Sequence, residues 1–324
     1  MPREFAVRVY HSNPIRMAHP LFVDIDPIAF HIGSFGVRWY GLTYLAGFIC
    51  GLLLGEYRRR RGKLAVEREP FLDLAFYVML GVIVGGRVWY MLTYQPINWI
   101  WTDPLQLFRV WDGGMSFHGG LLGVLIASLW WWWRNRRTVT HYFDVVDFVA
   151  PLVPIALGLG RLGNFINGEL WGKISSLPWA MIFPHALQEN PKFAGMSVAE
   201  LHSLYPSGVL DAYARQPSEL YELFLEGVVM FTVLWVFSIK PRHRYAVSGL
   251  FALLYGCFRF AIEFIREPDP QLGYLFHTGW LTMGQVQSLP LIIIGLVLLA
   301  MSRRAPIVQP APVEVTAASH ASAP

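Results

Sequence analysis

The residue order predicts an all-α membrane protein of seven transmembrane helices, and three observations lead there. The chain is 54% hydrophobic and only 15% charged, with 13 tryptophans and a mean hydropathy of +0.40. That is too apolar for a soluble chain of 324 residues, since soluble domains carry about a quarter of charged residues. Seven apolar segments, at 39–57, 71–92, 116–133, 143–159, 219–239, 248–265 and 285–301, each approach the roughly twenty residues that cross a hydrocarbon core. Finally, lysines and arginines collect in every second loop between those segments.

Inside lipid there is no water to satisfy backbone groups, so each segment must close its own hydrogen bonds as a helix. Arg58 to Arg61 with Lys63 follow the first, Arg134, Arg136 and Arg137 the third, Lys240, Arg242 and Arg244 the fifth, and Arg303 with Arg304 the seventh. Loops rich in Lys and Arg stay inside. The N-terminus and the loops holding Arg109, Lys173 and Lys192 are therefore outside, and the C-terminus is inside. The net charge of +4 is then a topology signal, and a nucleic-acid partner, which needs a basic face on a folded domain, is not expected.

Residues 1–38 lack the apolar core and cleavage site of a signal peptide, so the first span is expected to act as the insertion signal, with 1–16 a start-site extension ahead of Met17. Asp103 and Pro104 before Leu105, Leu107, Phe108, Val110 and Trp111 read as a capped amphipathic helix on the outer surface. Asp144 and Asp147 open the fourth span, where acidic side chains favour a helix N-terminus. Segment 171–217 is too polar to span and too long for a simple loop, which predicts a small outer cap. The Ala-, Pro-, Ser- and Val-rich tail 305–324 is expected to be disordered. Cys50 and Cys257 lie inside spans and read as small hydrophobes.

Polar groups inside such spans are costly and mark sites. Gly160-Arg161-Leu162-Gly163-Asn164-Phe165-Ile166-Asn167-Gly168-Glu169 closes the fourth span. On a helix Arg161 and Asn164 share a face, and a planar guanidinium beside amide donors suits a phosphate diester. The plainer reading is an arginine that snorkels and pairs with Glu169. In the sixth span Tyr255, Arg259, Glu263 and Arg266 stack on one face, either as a structural Arg259–Glu263 pair or as a functional arginine oriented by that carboxylate. His118 stands between glycines in Asp112-Gly113-Gly114-Met115-Ser116-Phe117-His118-Gly119-Gly120; a neutral imidazole there is either a packing residue or a base for a thiol. Tyr40 opens the first span from the same outer side. Arg87, near the outer end of the second, reads as a pocket residue or a snorkelling one. No His or Cys spacing suits a metal, and no phosphate-cradling Gly-Lys-Ser loop occurs, so no cofactor is expected.

Trp39-Tyr40-Gly41, Phe117-His118-Gly119-Gly120-Leu121, the 160–169 run, Pro217-Ser218 with Leu220-Tyr221-Glu222, and Tyr255-Gly256 with Arg259 through Glu263 together resemble the bacterial prolipoprotein diacylglyceryl transferases. The resemblance runs from about Asp24 to Arg304. It implies a seven-helix enzyme of the bacterial inner membrane, N-terminus periplasmic, C-terminus cytoplasmic, with its site and a small cap on the periplasmic side. It also implies the substrates: phosphatidylglycerol among the membrane lipids, and prolipoprotein signal peptides with a lipobox cysteine, which receives diacylglycerol as glycerol phosphate leaves.

By that resemblance Arg161 and Arg259 hold and polarise the phosphate and His118 helps deprotonate the cysteine. Asn164, Asn167 and Tyr40 shape the site, while Glu169 and Glu263 orient the arginines; Tyr255 and Arg266, on the helical face of Arg259, are further substrate-binding candidates. Tyr221 and Glu222 are lesser candidates. Glu219 stands where the family usually has glutamine, and Gln216 where it has histidine or tyrosine; a carboxylate there would weaken anion binding unless Arg215 neutralises it. A lipid transporter, a phospholipase using the same phosphate site, and a structural scaffold are the competing readings. The cytoplasmic halves of the spans look uniformly apolar, which disfavours the transporter.

Overall fold

Helix follows helix through most of the described residues. A computed structural model describes residues 19–93, 95, 99–109, 114–268 and 273–308. The side chains of Phe35, Trp99, Ile100, Phe117 and His118 lie outside that description. The long helices are α1 (Trp39–Arg60), α2 (Arg68–Thr93), α3 (Phe117–Asn135), α4 (Tyr142–Val149), α5 (Val153–Asn167), α6 (Ser218–Phe237), α7 (Ala246–Ile262) and α8 (Met283–Ser302). Of these α2, α6 and α8 are long and apolar enough to cross a membrane, α4 and α5 qualify together as one bent pair, and α7 is apolar but shorter. Their outward faces confirm the solvent: Leu45, Ile49 and Leu53 recur at every fourth position of α1 and are exposed, as are Leu122, Ile126 and Leu129 on α3. In water such stripes would be buried or polar.

The fourth span departs from the sequence expectation of one continuous helix over 143–159. It breaks by 47° between α4 and α5 and runs on to Asn167. Pro151 and Pro154 lack backbone N–H donors, so a helix cannot continue through them; Pro154 instead occupies the first turn of α5, where no donor is needed. Arg161 and Asn164 are consequently inside a helix, and Gly168, at φ +62°, ends it.

Helices α2 and α3 meet along Gly81, Gly85, Gly119 and Gly123. A Cβ built on Gly81 would stand 2.5 Å from the Gly123 carbonyl oxygen, and one on Gly123 would overlap the Gly81 carbonyl. Small residues spaced by four let membrane helices approach this closely. Gly123→Ala is therefore expected to force the pair apart at a cost of about 1–3 kcal/mol, read as a lower midpoint of thermal unfolding in detergent; an unchanged midpoint would refute the tight seam.

At the basic end of the bundle Leu64, Val66, Phe71, Leu74, Trp131, Val139, Val145 and Phe148 form one core. Asp144 and Asp147 act on a different helix start from their own. Asp144 holds Arg244 at 2.7 Å, and Asp147 accepts from the N–H of Tyr245 and Ser248 where α7 begins.

Three further expectations change. Pro104–Phe108 is a single 3-10 turn, and Asp103 pairs with Arg109 at 2.8 Å instead of capping it; Val110 and Trp111 lie outside the described residues. The tail is ordered as far as strand β6 (Ile307–Val308), which pairs antiparallel with β5 (Arg242–His243). Residues 19–23 pack with segment 171–217: strand β1 (Leu21–Phe22) runs parallel to β4 (Met181–Ile182). Behind it Ile182, Leu187, Phe193, Leu201 and Leu210 build a separate core joined by Phe22. Between β1 and α1, β2 (Ile28–Ile32) and β3 (Phe35–Arg38) form a hairpin. Expectations about residues 1–16 and 309–324 lie outside the described residues.

Candidate functional site

Two successive turns of α6 carry three fully buried carboxylates, Glu219, Glu222 and Glu226. Residues 223–229 there adopt a π-helix, a widened turn that recurs at functional sites. Gly158 and Gly227 allow α5 to lie directly on this turn; a Cβ on Gly158 would come within 2.9 Å of the Gly227 Cα.

Arg161 reaches from α5 into that contact, its Nε 3.1 Å from Glu222 Oε2 and 3.4 Å from Glu226 Oε2. Arg259 enters from α7, with Nη1 on Glu222 Oε1 and Nη2 2.5 Å from Glu263 Oε1. Glu263 accepts in turn from Thr282 Oγ1 at 2.5 Å and lies 3.7 Å from Arg266 Nη1. Charges thus alternate in a chain from Glu226 through Arg161, Glu222, Arg259 and Glu263 to Arg266. Glu222 is its centre, because it alone among the described residues touches both arginines.

Buried ions are retained only when paired and hydrogen-bonded, and this chain pairs every arginine in it. The forks are not used up. Arg161 Nη1 forms no hydrogen bond among the described residues, and the arginine side chains are 17% and 15% exposed while Glu222 is 0%. The carboxylates are at the back and the guanidinium edges at the front, an arrangement able to receive a phosphate.

The amides form a second group. Asn164 Nδ2 donates to Glu169 Oε1 at 2.8 Å and Asn167 Nδ2 at 3.4 Å, so Glu169 orients the asparagines and not Arg161, against the sequence expectation. The Arg161–Glu169 pair of the plainer reading does not form either, because Glu222 and Glu226 arrive from another helix. Tyr40 packs on Gly163, where a Cβ would be 2.9 Å from its Cδ2, and its hydroxyl is 3.1 Å from that of Tyr44. Tyr255 stands within electrostatic reach of Glu226, Arg161 and Arg259.

His118 lies in the first turn of α3, and its side chain is outside the described residues. Arg87 is buried and does not snorkel. It donates to the carbonyls of Leu107 (3.1 Å), Gln106 (2.5 Å) and Gly114 (3.1 Å), tying the 3-10 turn to the entry of the helix that carries His118. Glu226 was absent from the sequence expectations; a second carboxylate four residues after Glu222 in an apolar span was the signal for it.

Two comparisons bear on this arrangement. The model of one protein family, described as prolipoprotein diacylglyceryl transferase, matches residues 27–301. The chain belongs to the prolipoprotein diacylglyceryl transferase family. A relative from Xanthomonas campestris pv. campestris (strain B100), named phosphatidylglycerol–prolipoprotein diacylglyceryl transferase, is 61% identical over 288 residues, 88% of this chain and 94% of the relative. Proteins of the same name from Xanthomonas euvesicatoria pv. vesicatoria (strain 85-10) and Xanthomonas axonopodis pv. citri (strain 306) are 60% identical over 299 residues and 59% over 288. They cover 91% and 88% of this chain, and the matches span 98% and 94% of those relatives.

Within this family member the glutamate at 219 is a liability. Both its carboxylate oxygens are buried without a partner, and Arg215, expected to neutralise it, pairs with Glu267 at 2.9 Å. Glu219→Met, which keeps the side-chain length and takes away both unsatisfied oxygens, is expected to raise stability by about 1–3 kcal/mol. The readout is the unfolding midpoint in detergent; a fall would mean that the carboxylate has a partner it needs.

Proposed function

We propose that this protein transfers the diacylglyceryl group of phosphatidylglycerol to the thiol of a lipobox cysteine in a prolipoprotein, at the periplasmic face of the bacterial inner membrane. In this reading seven helices span, with α4 and α5 as one bent span, the N-terminus periplasmic and the C-terminus cytoplasmic. The cap over 171–217 together with 19–23 receives the signal peptide. The observation that carries the proposal is the Arg161–Glu222–Arg259 bridge: two guanidiniums aligned by one buried carboxylate, with open edges, in a family whose relatives are named for a phosphate-ester substrate.

The chemistry asks for such a pair. A cysteine thiol gives up its proton and its sulfur attacks the glycerol carbon bonded to phosphate. The C–S bond forms, the C–O bond breaks, and its electron pair leaves on an oxygen of glycerol phosphate. Two fixed cations stabilise that oxygen as charge grows on it, and in a site shielded from water they act at full strength. Arginine remains protonated, so it polarises and does not act as the base. His118 takes the thiol proton, and Asn164, Asn167, Tyr40 and Tyr255 shape the substrate around the arginines.

The test is an assay with purified protein in detergent, phosphatidylglycerol and a synthetic lipobox peptide, with peptide mass and glycerol phosphate both followed. The expected result is peptide heavier by one diacylglyceryl group and an equal amount of glycerol phosphate. Glycerol phosphate without modified peptide would indicate a phospholipase, and neither product from folded protein would return the transporter and scaffold readings. In the same assay His118→Ala is expected to slow transfer by about 10²–10⁴-fold and to remove the acidic limb of the pH–rate profile. A retained limb would assign the base elsewhere.

A further inference from the structure

Arg58 stands about 27 Å along α1 from Tyr40, at ~1.5 Å per residue, and beside it is a second cluster of cations around a cavity of about 40 Å³. The walls carry Arg58, Lys63, Lys240 and Arg242 against Asp144 and Asp147. Both carboxylates are engaged elsewhere, Asp144 by Arg244 at 2.7 and 3.0 Å and Asp147 by the backbone N–H groups of Tyr245 and Ser248 at 2.8 and 2.7 Å.

Arg58 is 5% exposed. Its Nη1 donates to Ser238 Oγ at 2.8 Å, its Nε has no partner, and it lies 5.6 Å from the ring centres of both Phe148 and Trp235. Asp147 acts on it through space only. Lys63 Nζ and Arg242 Nε turn to the carbonyls of Ile239 (2.6 Å) and Phe237 (2.7 Å). Among the described residues none of the four wall cations forms an ion pair. Holding the buried Arg58 cation away from water without an anion is costly, and the two ring faces offset only part of that cost, so the site favours a negatively charged ligand. Burial, then Arg58 and Arg242, push the Lys63 ammonium below the ordinary lysine range, the mark of a shared positive field.

We propose that this cavity is a binding site for a phosphate group carried by an anionic phospholipid, on the membrane face opposite the Arg161–Arg259 cluster. The volume admits roughly three water-sized groups, enough for the free oxygens of a phosphate ester but not for a larger headgroup. Guanidinium forks and ammonium donors are the groups that bind phosphate. Beside the cavity Tyr57, Val236 and Ile239 are exposed and apolar, a surface on which acyl chains lie once the phosphate is seated. Val308 of β6 completes the wall, so occupancy steadies the pairing of β6 with β5.

Hydrogen exchange on the full chain in a neutral detergent tests this, with phosphatidic acid, phosphatidylcholine and inorganic phosphate as separate probes. Exchange at 242–248 and 305–308 is expected to slow at least threefold with phosphatidic acid, and the slowing to be lost in Lys240→Gln/Arg242→Gln while the transfer rate stays within twofold of wild type. If the double variant does not fold, Lys240→Gln alone is expected to weaken the protection. Phosphatidic acid acting where inorganic phosphate and phosphatidylcholine do not supports the anionic lipid. Equal protection by inorganic phosphate overturns the lipid as source, and no protection by any probe, or protection that persists in the variants, overturns the site.

Discussion

Arg161→Ala is expected to lower the rate of diacylglyceryl transfer by about 10²–10³-fold, the range lost when one fixed donor to a developing oxyanion is removed. Arg161 Nε is the shared partner of Glu222 Oε2 and Glu226 Oε2, and both carboxylates are fully buried. Truncation therefore strips a phosphate ligand and strands Glu226 while leaving Glu222 with Arg259 alone, the second effect worth about 3–5 kcal/mol when one member of a buried pair is lost. The two are separable. Arg161→Lys keeps a cation but not the planar fork, so it is expected to recover part of the stability while transfer stays at least tenfold down. Transfer by Arg161→Ala at the wild-type rate, in protein shown to be folded, would remove Arg161 from the mechanism.

Glu222→Gln should be nearly as damaging although it removes no cation. The carboxylate lies between Arg161 and Arg259, and a neutral amide leaves two guanidiniums facing each other with only Glu226 and Glu263 at the outer ends. We expect an unfolding midpoint several degrees lower, corresponding to about 3 kcal/mol for a broken buried pair, and a fall in kcat of at least tenfold as the two forks lose alignment. A purely structural carboxylate would lower the midpoint and leave kcat of the folded fraction intact. Measuring both on one preparation decides between the roles.

The expectations that held and those that failed separate by the physics each used. Membrane class and helix positions followed from apolar content and from the need to close backbone bonds within each segment, and both are local properties. The Arg259–Glu263 pair was legible for the same reason, since residues four apart on a helix must meet. The resemblance gives Glu169 to the arginines. The structure gives it to Asn164 and Asn167, since a helix that ends at Gly168 turns the following residues back onto its own last amides. For Arg87 the sequence leaves a pocket role and snorkelling both open, because its acceptors are carbonyls, which no sequence pattern marks. The glycine seam of α2 and α3 had a signal, Gly81 and Gly85 facing Gly119 and Gly123, but spacing alone does not say which helices pair.

Residue order alone was enough for the membrane class, because hydropathy reports the solvent around each residue without reference to any other, and for the family, because the short polar motifs of the chain resemble it. Which carboxylate serves which arginine depended on packing. The π-turn of α6, the Gly158–Gly227 contact and the break before α5 bring Glu222 and Glu226 to Arg161 across more than 60 residues of chain, and a Coulomb partner is chosen by distance in space, not by separation along the chain.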